Sequence, residues 1–568
     1  MSRERFRPAG FAALLLLAAS LPFELERPVL PLGPIVLTNV EVVLLAVLGL
    51  ALLAGPAPHR PRLPRAWIIL ALWFVAAMLL AAAAAPAFRG NALKAALRTV
   101  EGMLLVPAVL WLAPTARYGR LVALGLVGSV AAAVAVGLAE QAAGYDFAWL
   151  AAFRSAPTFA GPFLRLSGPL DYANQAAMMI EATIPLLFAL TLEFAARRHA
   201  LATLGLVALL FFIQAAILTF SRAGFVTLLV VSAFVAALRV RHTGTARRAA
   251  RSWAGLALLI AAVVVANWLL SPTFRLRLRS DVDGEWYRTV LQAPAELTLA
   301  PAERLVVPLV VTNSGALPWR TTGSKPVVLG ARWQLADGRG ELQDRLRWPL
   351  PRAVAPGETV TLDVALFAPT QPGDYRLIWD MVQEGVNWFD ARGDAETSTL
   401  VKVAGTGVEN PAAQAARIAP SLAFDAPLPG RRVLWAIAAR LIERYPLTGI
   451  GLDNYRLTYS GYLPDDPLPG TALDQTVHTN NWYLETLVSV GIVGTAPFLL
   501  WLLLLIWDII HLLRRPFTAP LLVAAGASLL TFTLHGLLDY FLLFNATALL
   551  FWTITALWLV FKYDNSRL

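Results

Sequence analysis

Long apolar runs alternate with short polar stretches through most of the chain, and one long polar block interrupts them. The runs lie near residues 9–26, 35–55, 66–85, 96–113, 121–141, 174–194, 200–218, 223–238, 253–270, 483–507, 518–535 and 544–561. Several approach the roughly 20 residues that span a hydrocarbon core. The pattern therefore predicts a polytopic α-helical membrane protein with about 12 transmembrane helices. The run at 223–238 is short, and the first carries Pro22 and Glu24 near its exit.

The interruption falls between the ninth and tenth helices. It divides the chain into helices 1–9 (1–270), an insert (271–430), a loop-helix and motif region (431–482) and helices 10–12 (483–568). Within the insert, residues 286–404 read as short strands such as ERLVVPLVVTN, ETVTLDVALFAP and DYRLIWDMVQE, several alternating apolar and polar positions. NSGALP, ADGRG, APGE and QPGD punctuate them as turns. Strands at this spacing predict an antiparallel β-sandwich, and the stretch resembles bacterial immunoglobulin-like modules. Trp319, Trp333, Trp348, Trp379 and Trp388 could stack on sugars, but the plainer reading is that most pack the sheets. An Ala/Pro-rich linker follows at 405–430. RRVLWAIAARLIERY at 431–445 then has apolar residues at helical spacing.

Composition agrees with the pattern: 57% of residues are hydrophobic and 15% charged, with mean hydropathy +0.61. A soluble fold cannot bury that much apolar surface. With no cysteine, disulfides and thiolate metal sites are excluded. The net charge of +10 raises the question of nucleic acid, and the placement of the arginines answers it. Arg3, Arg5 and Arg7 precede the first helix. Arg60, Arg62 and Arg65 follow the second, Arg117 and Arg120 the fourth, and Arg197 and Arg198 the sixth. Arg239, Arg241, Arg247, Arg248 and Arg251 follow the eighth, Arg514 and Arg515 the tenth, and Lys562 and Arg567 the twelfth. Every even-numbered exit is basic, which predicts a multi-pass inner-membrane protein with both termini cytoplasmic and the insert outside. The charge is topology, and no nucleic-acid partner is expected. Glu24, Glu26 and Arg27 follow the first run without a small-x-small site, so no cleavable signal is expected.

Arginines also sit where this topology would prefer none: in the loop leading to RLSGPLDYANQAAMMIEATIPL, in the turn LTFSRAGF, and in RRVLWAIAARLIERYPLTGIGLDNY before HTNNWYLETLVSVGIVG. Charges at membrane depth tend to face polar cavities and mark function. Guanidinium groups converging at the outer membrane edge would suit a diphosphate, which they grip with two parallel donors. Glu181 inside helix six needs a partner. Arg98 and Glu101 are spaced for an intrahelical pair. His535 and Asp539, four apart, resemble a carboxylate-oriented histidine or a helix-end pair. No acidic or histidine cluster has metal spacing, so no metal and no cofactor is expected.

Together these segments resemble the O-antigen ligase and polymerase superfamily of lipid-linked glycan transferases. The resemblance rests on Arg165 with Ser167, Gly168 and Asn174, on Ser221-Arg222, and on Pro446, Gly449, Gly451 and Asn454. It continues through Asn481, Tyr483, Leu484, Gly491 and Gly494. It implies twelve helices, a large outer loop before helix ten, and metal-independent transfer of a glycan from undecaprenyl diphosphate. The acceptor would be a hydroxyl on a glycan, lipid or protein, with membrane lipids as further partners. Arg165, Arg222 and Arg432 would hold the diphosphate. Asn174, Glu181, Asn480, Asn481 and Tyr483 would line the substrate site. The family's catalytic histidine, adjacent to the asparagine before Tyr-Leu, is here Asn480, which cannot take a proton at neutral pH. His478 is the candidate replacement, against the reading of a loop histidine. Two alternatives stand beside the ligase reading: a polymerase of the same superfamily, and a non-catalytic glycan-binding or export subunit, which the departure at 480 and the added β-module favour.

Overall fold

The computed structural model describes residues 3–32, 35–144, 147–155, 157–160, 163–195, 199–240, 244–279, 286–322, 326–337, 341–384, 387–390, 394–406, 418–419, 431–462, 477–515 and 518–566. Most of the 405–430 linker, and Arg197, Arg198, Arg241 and Arg567, lie outside the described residues. Helices α1 (Phe6–Ser20) and α2 (Asn39–Ala54) pack as a hairpin, joined through the strand pair β1 (Leu30–Leu32) and β2 (Ile35–Leu37). Thr38 and Glu41 start α2 with reciprocal side-chain-to-backbone hydrogen bonds, satisfying amide donors that a helix start leaves orphaned.

Helices α3 (Arg65–Ala84), α4 (Arg89–Leu112) and α5 (Ala116–Ala143) follow. The short pair β3 (Phe159–Ala160) and β4 (Phe163–Leu164) then leads to α6 (Ala173–Ala195), α7 (His199–Leu218), α8 (Arg222–Arg239), α9 (Gly244–Leu270) and the short α10 (Pro272–Arg279). Among the described residues, nine helices are long and apolar enough to cross a membrane and three shorter ones are apolar. The protein is therefore a polytopic helical membrane protein. α6 is the axis of the bundle, buried from Gln175 to Thr191. Leu258, Leu269 and Leu270 on α9 are exposed, as befits a face turned to lipid. Arg98 pairs across helices with Glu41 on α2 at 2.7 Å, not with Glu101 on its own helix.

The polar block forms two facing sheets. One has the order β10 (Thr359–Phe367), β7 (Arg304–Asn313), β5 (Thr289–Gln292). The other runs β14 (Ile418–Ala419), β9 (Glu341–Pro349), β8 (Val327–Leu335), β11 (Gly373–Gln383), β13 (Thr397–Val403), β6 (Glu296–Leu299), with β12 (Asn387–Trp388) on β11. Among the described residues, all pairings in these two sheets are antiparallel except β13 with β6. Alternate residues of β7, Val307, Leu309 and Val311, are buried with Trp319, Trp333 and Trp379 in one core, the period-2 burial of a half-covered strand. Trp388 is also buried, and Arg332 and Arg347 lie 5.1 and 4.2 Å from its ring.

Residues 286–404 expressed alone are expected to be soluble, give a strand-type circular dichroism spectrum and unfold cooperatively; a helical or disordered spectrum overturns this. The same fragment should lose stability as pH rises. Burial and the neighbouring Asp390 carboxylate hold the Asp380 carboxyl well above the usual range. A carboxyl whose folded pKa exceeds its unfolded value of about 3.9 favours the fold fully only below that value, and the contribution disappears as pH rises toward the folded pKa. Thermal melts between pH 4 and 8 test this, and Asp380→Asn should flatten the slope.

The chain re-enters the bundle through α11 (Arg431–Arg444) and the short α12 (Tyr455–Thr458). α13 (Trp482–Leu513), α14 (Pro520–His535) and α15 (Asn545–Asn565) complete it. Gly491, at φ +58°, interrupts α13.

Candidate functional site

The loops before α6 and α8, the start of α11, the start of α13 and the turn after α14 meet at one end of the bundle. Arg165 is fixed there by two arms of its guanidinium. Nε donates to the Thr219 carbonyl at 2.7 Å, and Nη2 donates to Asn174 Oδ1 at 2.6 Å. Asn174 in turn donates to Asp539 Oδ2 at 2.8 Å. The loop beneath is held by the buried Arg154, which pairs with Glu140 and donates to Ser167 Oγ and the Gly168 carbonyl, both at 2.7 Å. Ser167 and Gly168 thus shape the loop that presents Arg165.

Arg222 is the first residue of α8, capped by Ser221, whose Oγ accepts from the Gly224 amide at 3.3 Å. A helix start favours anions through its orphaned amides and dipole. Arg277 of α10 and Arg431 of α11 are close enough to act on Arg222 electrostatically. Arg431 acts also on His535. Arg432 is exposed on the next position of α11. Glu181, fully buried in α6, sits against Gly224: a Cβ there would stand 1.9 Å from Glu181 Oε1. Its other oxygen lies 2.9 Å from His535 Nδ1. His535 is therefore oriented by Glu181 across helices rather than by Asp539, whose amide caps the His535 carbonyl at 3.1 Å.

A second histidine–carboxylate pair lies at the start of α13. His478 Nδ1 is 3.3 Å from Glu485 Oε1, and the other Glu485 oxygen accepts from the Thr479 amide at 3.0 Å. His478 is 5% exposed, and its Nε2 is buried without a hydrogen-bond partner among the described residues. The ring packs on Tyr540 at 5.6 Å, whose phenol is pushed above its usual range by burial, with Glu485 and Asp453 adding to the rise. Trp435 of α11 donates to the Thr479 carbonyl at 2.8 Å, tying this pair to the helix that carries Arg431. Asn480 takes a left-handed backbone, φ +51°, which asparagine tolerates better than most residues. Asn481 caps α13, accepting from the Leu484 amide at 2.9 Å and donating to the Leu537 carbonyl at 2.9 Å. The Tyr483 hydroxyl donates to the Thr533 carbonyl at 2.7 Å.

The segment 446–451 is clamped into the break in α13. Ile450 and Gly451 donate to the Val488 and Ser489 carbonyls, and Ile492 and Val493 donate to those of Pro446 and Leu447, at 2.9 to 3.2 Å. Gly449 and Gly491 have positive φ, and a Cβ on either would meet backbone of the opposing segment at 2.5 or 2.3 Å. Only glycine permits that approach. Asn454 then bridges to α4, donating to the Ala87 carbonyl and accepting from Asn91 Nδ2.

Below Glu485, a cavity of about 380 Å³ opens between α3, α4, α13 and α15. Trp67, Phe74, Met103, Phe498 and Trp552 line it, and its polar end carries Glu485, Thr486, Ser489 and Tyr540.

Sequence reasoning missed Arg277, Arg431, Glu485 and Tyr540. Glu485 carried a readable signal, an acid in the first turn of an otherwise apolar helix.

Residues 415–499 match the family model described as O-Antigen ligase. No curated protein matches the chain. Among solved structures the chain is similar to Pseudomonas fluorescens alkylpurine DNA glycosylase AlkC bound to DNA containing an abasic site analog. That similarity has 10% identity over 60% of this chain and 100% of that one, and at a TM-score of 0.14 it carries no argument. The O-antigen ligase match takes in α11, the clamp with its glycines, His478 and Glu485, and over that stretch the chain is similar to the O-antigen ligase family.

Proposed function

We propose that this protein moves a glycan from an undecaprenyl-diphosphate carrier to an acceptor hydroxyl on the outer face of the inner membrane. The observation that carries the reading is the buried Nε2 of His478, unpartnered among the described residues and backed by Glu485 at the polar end of an apolar cavity. A carboxylate facing Nδ1 favours the tautomer with its proton there, leaving the Nε2 lone pair to take one. The acceptor hydroxyl gives its proton to His478 Nε2 as its oxygen attacks the anomeric carbon. The bond from that carbon to the diphosphate oxygen breaks, and the leaving group takes the electron pair. Arg165 and Arg222, with Arg431 and Arg277 behind them and Arg432 at the rim, would hold that charge. The apolar cavity suits the carrier's hydrocarbon chain. Because the donor arrives activated, orientation, charge stabilisation and one base suffice.

Purified protein in nanodiscs should convert a lipid-linked glycan and an acceptor into transferred product plus free undecaprenyl diphosphate, and absence of turnover with every acceptor class refutes the reading. Chain-length analysis of the product separates ligase from polymerase. The reading also requires both termini in the cytoplasm. A single cysteine near residue 340 should react with an impermeant thiol reagent in intact cells and one near residue 245 should not; the reverse labelling overturns the topology.

A further inference from the structure

Beside the α6 N-terminus lies a cavity of about 230 Å³ between the α1–α2 hairpin, the loops before α6 and the turn before α15, whose lining includes neither Arg165 nor Asn174. One water needs roughly 10–15 Å³, and drug-sized ligand pockets begin near roughly 300 Å³. The space therefore suits a head group or a single sugar ring. Three carboxyl groups line it, Glu24, Glu26 and Asp171, with Arg98 as the basic residue. Arg98 is already paired to Glu41 at 2.7 Å, so the lining keeps an excess of negative charge.

Two acceptors in the lining have no hydrogen-bond partner among the described residues. Gln175 is 4% exposed, yet its Oε1 bonds to none of them, and Asp171 Oδ1 is likewise buried and unpartnered. Such groups are costly unless a donor reaches them. Burial, with the Glu24 and Glu26 carboxylates beside it, pushes the Asp171 carboxyl up to about 7. Glu24 Oε1 is set in place by Thr38 and Asn545, each donating at 2.7 Å. Aromatic rings complete the wall at Phe153 and Phe544. Carboxylates beside aromatic faces select a cation by charge and by the ring quadrupole. Among the described residues, no three histidine or acidic side chains converge as metal ligands. An ammonium group needs acceptors and a ring face, and this lining offers both.

We propose that this cavity binds a ligand through an ammonium group, held by Glu24, Glu26 and Asp171, with the Gln175 side-chain carbonyl as a neutral acceptor and Phe153 and Phe544 as walls. The site is separate from the proposed diphosphate cluster and does not depend on it. Two sources share this chemistry, an amino sugar and the head group of an ethanolamine lipid. The test uses the full-length protein in nanodiscs. Glucosamine is titrated against glucose, and thermal stability is compared in phosphatidylethanolamine and phosphatidylglycerol discs. Saturable binding of glucosamine without binding of glucose assigns an amino sugar. Stabilisation by the ethanolamine lipid alone assigns a lipid head group.

In either case the double variant Glu26→Gln, Asp171→Asn should weaken the effect about tenfold or more, the loss expected when hydrogen bonds to a charged group are removed. Gln175→Glu should strengthen it, a gain that a purely structural role would not produce. The Gln175→Glu arm decides if the double variant does not fold. Equal binding of glucose and glucosamine with no lipid preference, or an undiminished amine effect in a folded double variant, overturns the proposal, as does weakening by Gln175→Glu.

Discussion

Arg165→Lys or Arg222→Lys is expected to remove most glycan transfer while leaving folded protein, although either substitution keeps the charge. Arg165 has its guanidinium plane set by Thr219 and Asn174. Lysine, a point charge on a flexible stem, cannot hold both partners and present a two-pronged face to a phosphate. Hydrogen bonds to charged groups contribute roughly 1.5–3 kcal/mol each, so losing a two-pronged contact should lower kcat/KM by on the order of 10²-fold. Arg222 shares its surroundings with Arg277 and Arg431, and like charges held together are relieved when an anion docks. Arg222→Ala should therefore cost at least as much activity as lysine without lowering the melting temperature of the unliganded protein. Kinetics with a lipid-linked donor, beside thermal melts of each variant, measure both sides. Full activity in both Arg165→Lys and Arg222→Lys would reduce these arginines to ordinary loop charges.

The second large effect falls on turnover alone. His478→Ala should bind the donor normally and lose transfer by roughly 10²–10⁴-fold, the range ascribed to a positioned general base. The residue contacts Glu485 near the start of α13 and Tyr540 in the turn after α14, so donor affinity is expected to hold. Glu485→Gln should reduce kcat less and change its pH profile, because the amide no longer stabilises a charged imidazole. Donor affinity by calorimetry and single-turnover rates separate binding from chemistry. Unchanged turnover in His478→Ala would shift the base to the His535–Glu181 pair.

The membrane helices were legible because a span must be apolar over its whole length, and the two-sheet unit because its strands alternate. Partners across the bundle were not. Glu181 and His535 stand 2.9 Å apart but are separated by 354 positions, and nothing in either segment names the other. Arg432 and Arg431 differ by about 100° around a helix, so the packing of α11 decides which one turns toward Arg222. Asn480 reads as a substitution at a histidine position. Its left-handed backbone and the neighbouring cap at Asn481 make that stretch a helix start, and His478, the proposed base, stands two residues earlier. The glycines at 449 and 491 were visible as motif members, but their reason, two backbones in contact through a broken helix, is three-dimensional.

That clamp has an evolutionary consequence. It fastens the returning chain at 446–451 to α13 by main-chain hydrogen bonds, independently of what precedes it. The region between α10 and α11 can therefore gain, lose or exchange a whole module while the geometry around Glu485 stays the same. Natural variation in this architecture should concentrate as length changes upstream of residue 431, with 446–454 fixed in length. The same property makes the stretch before α11 a graft point, where a different folded module could be installed without redesigning the membrane core.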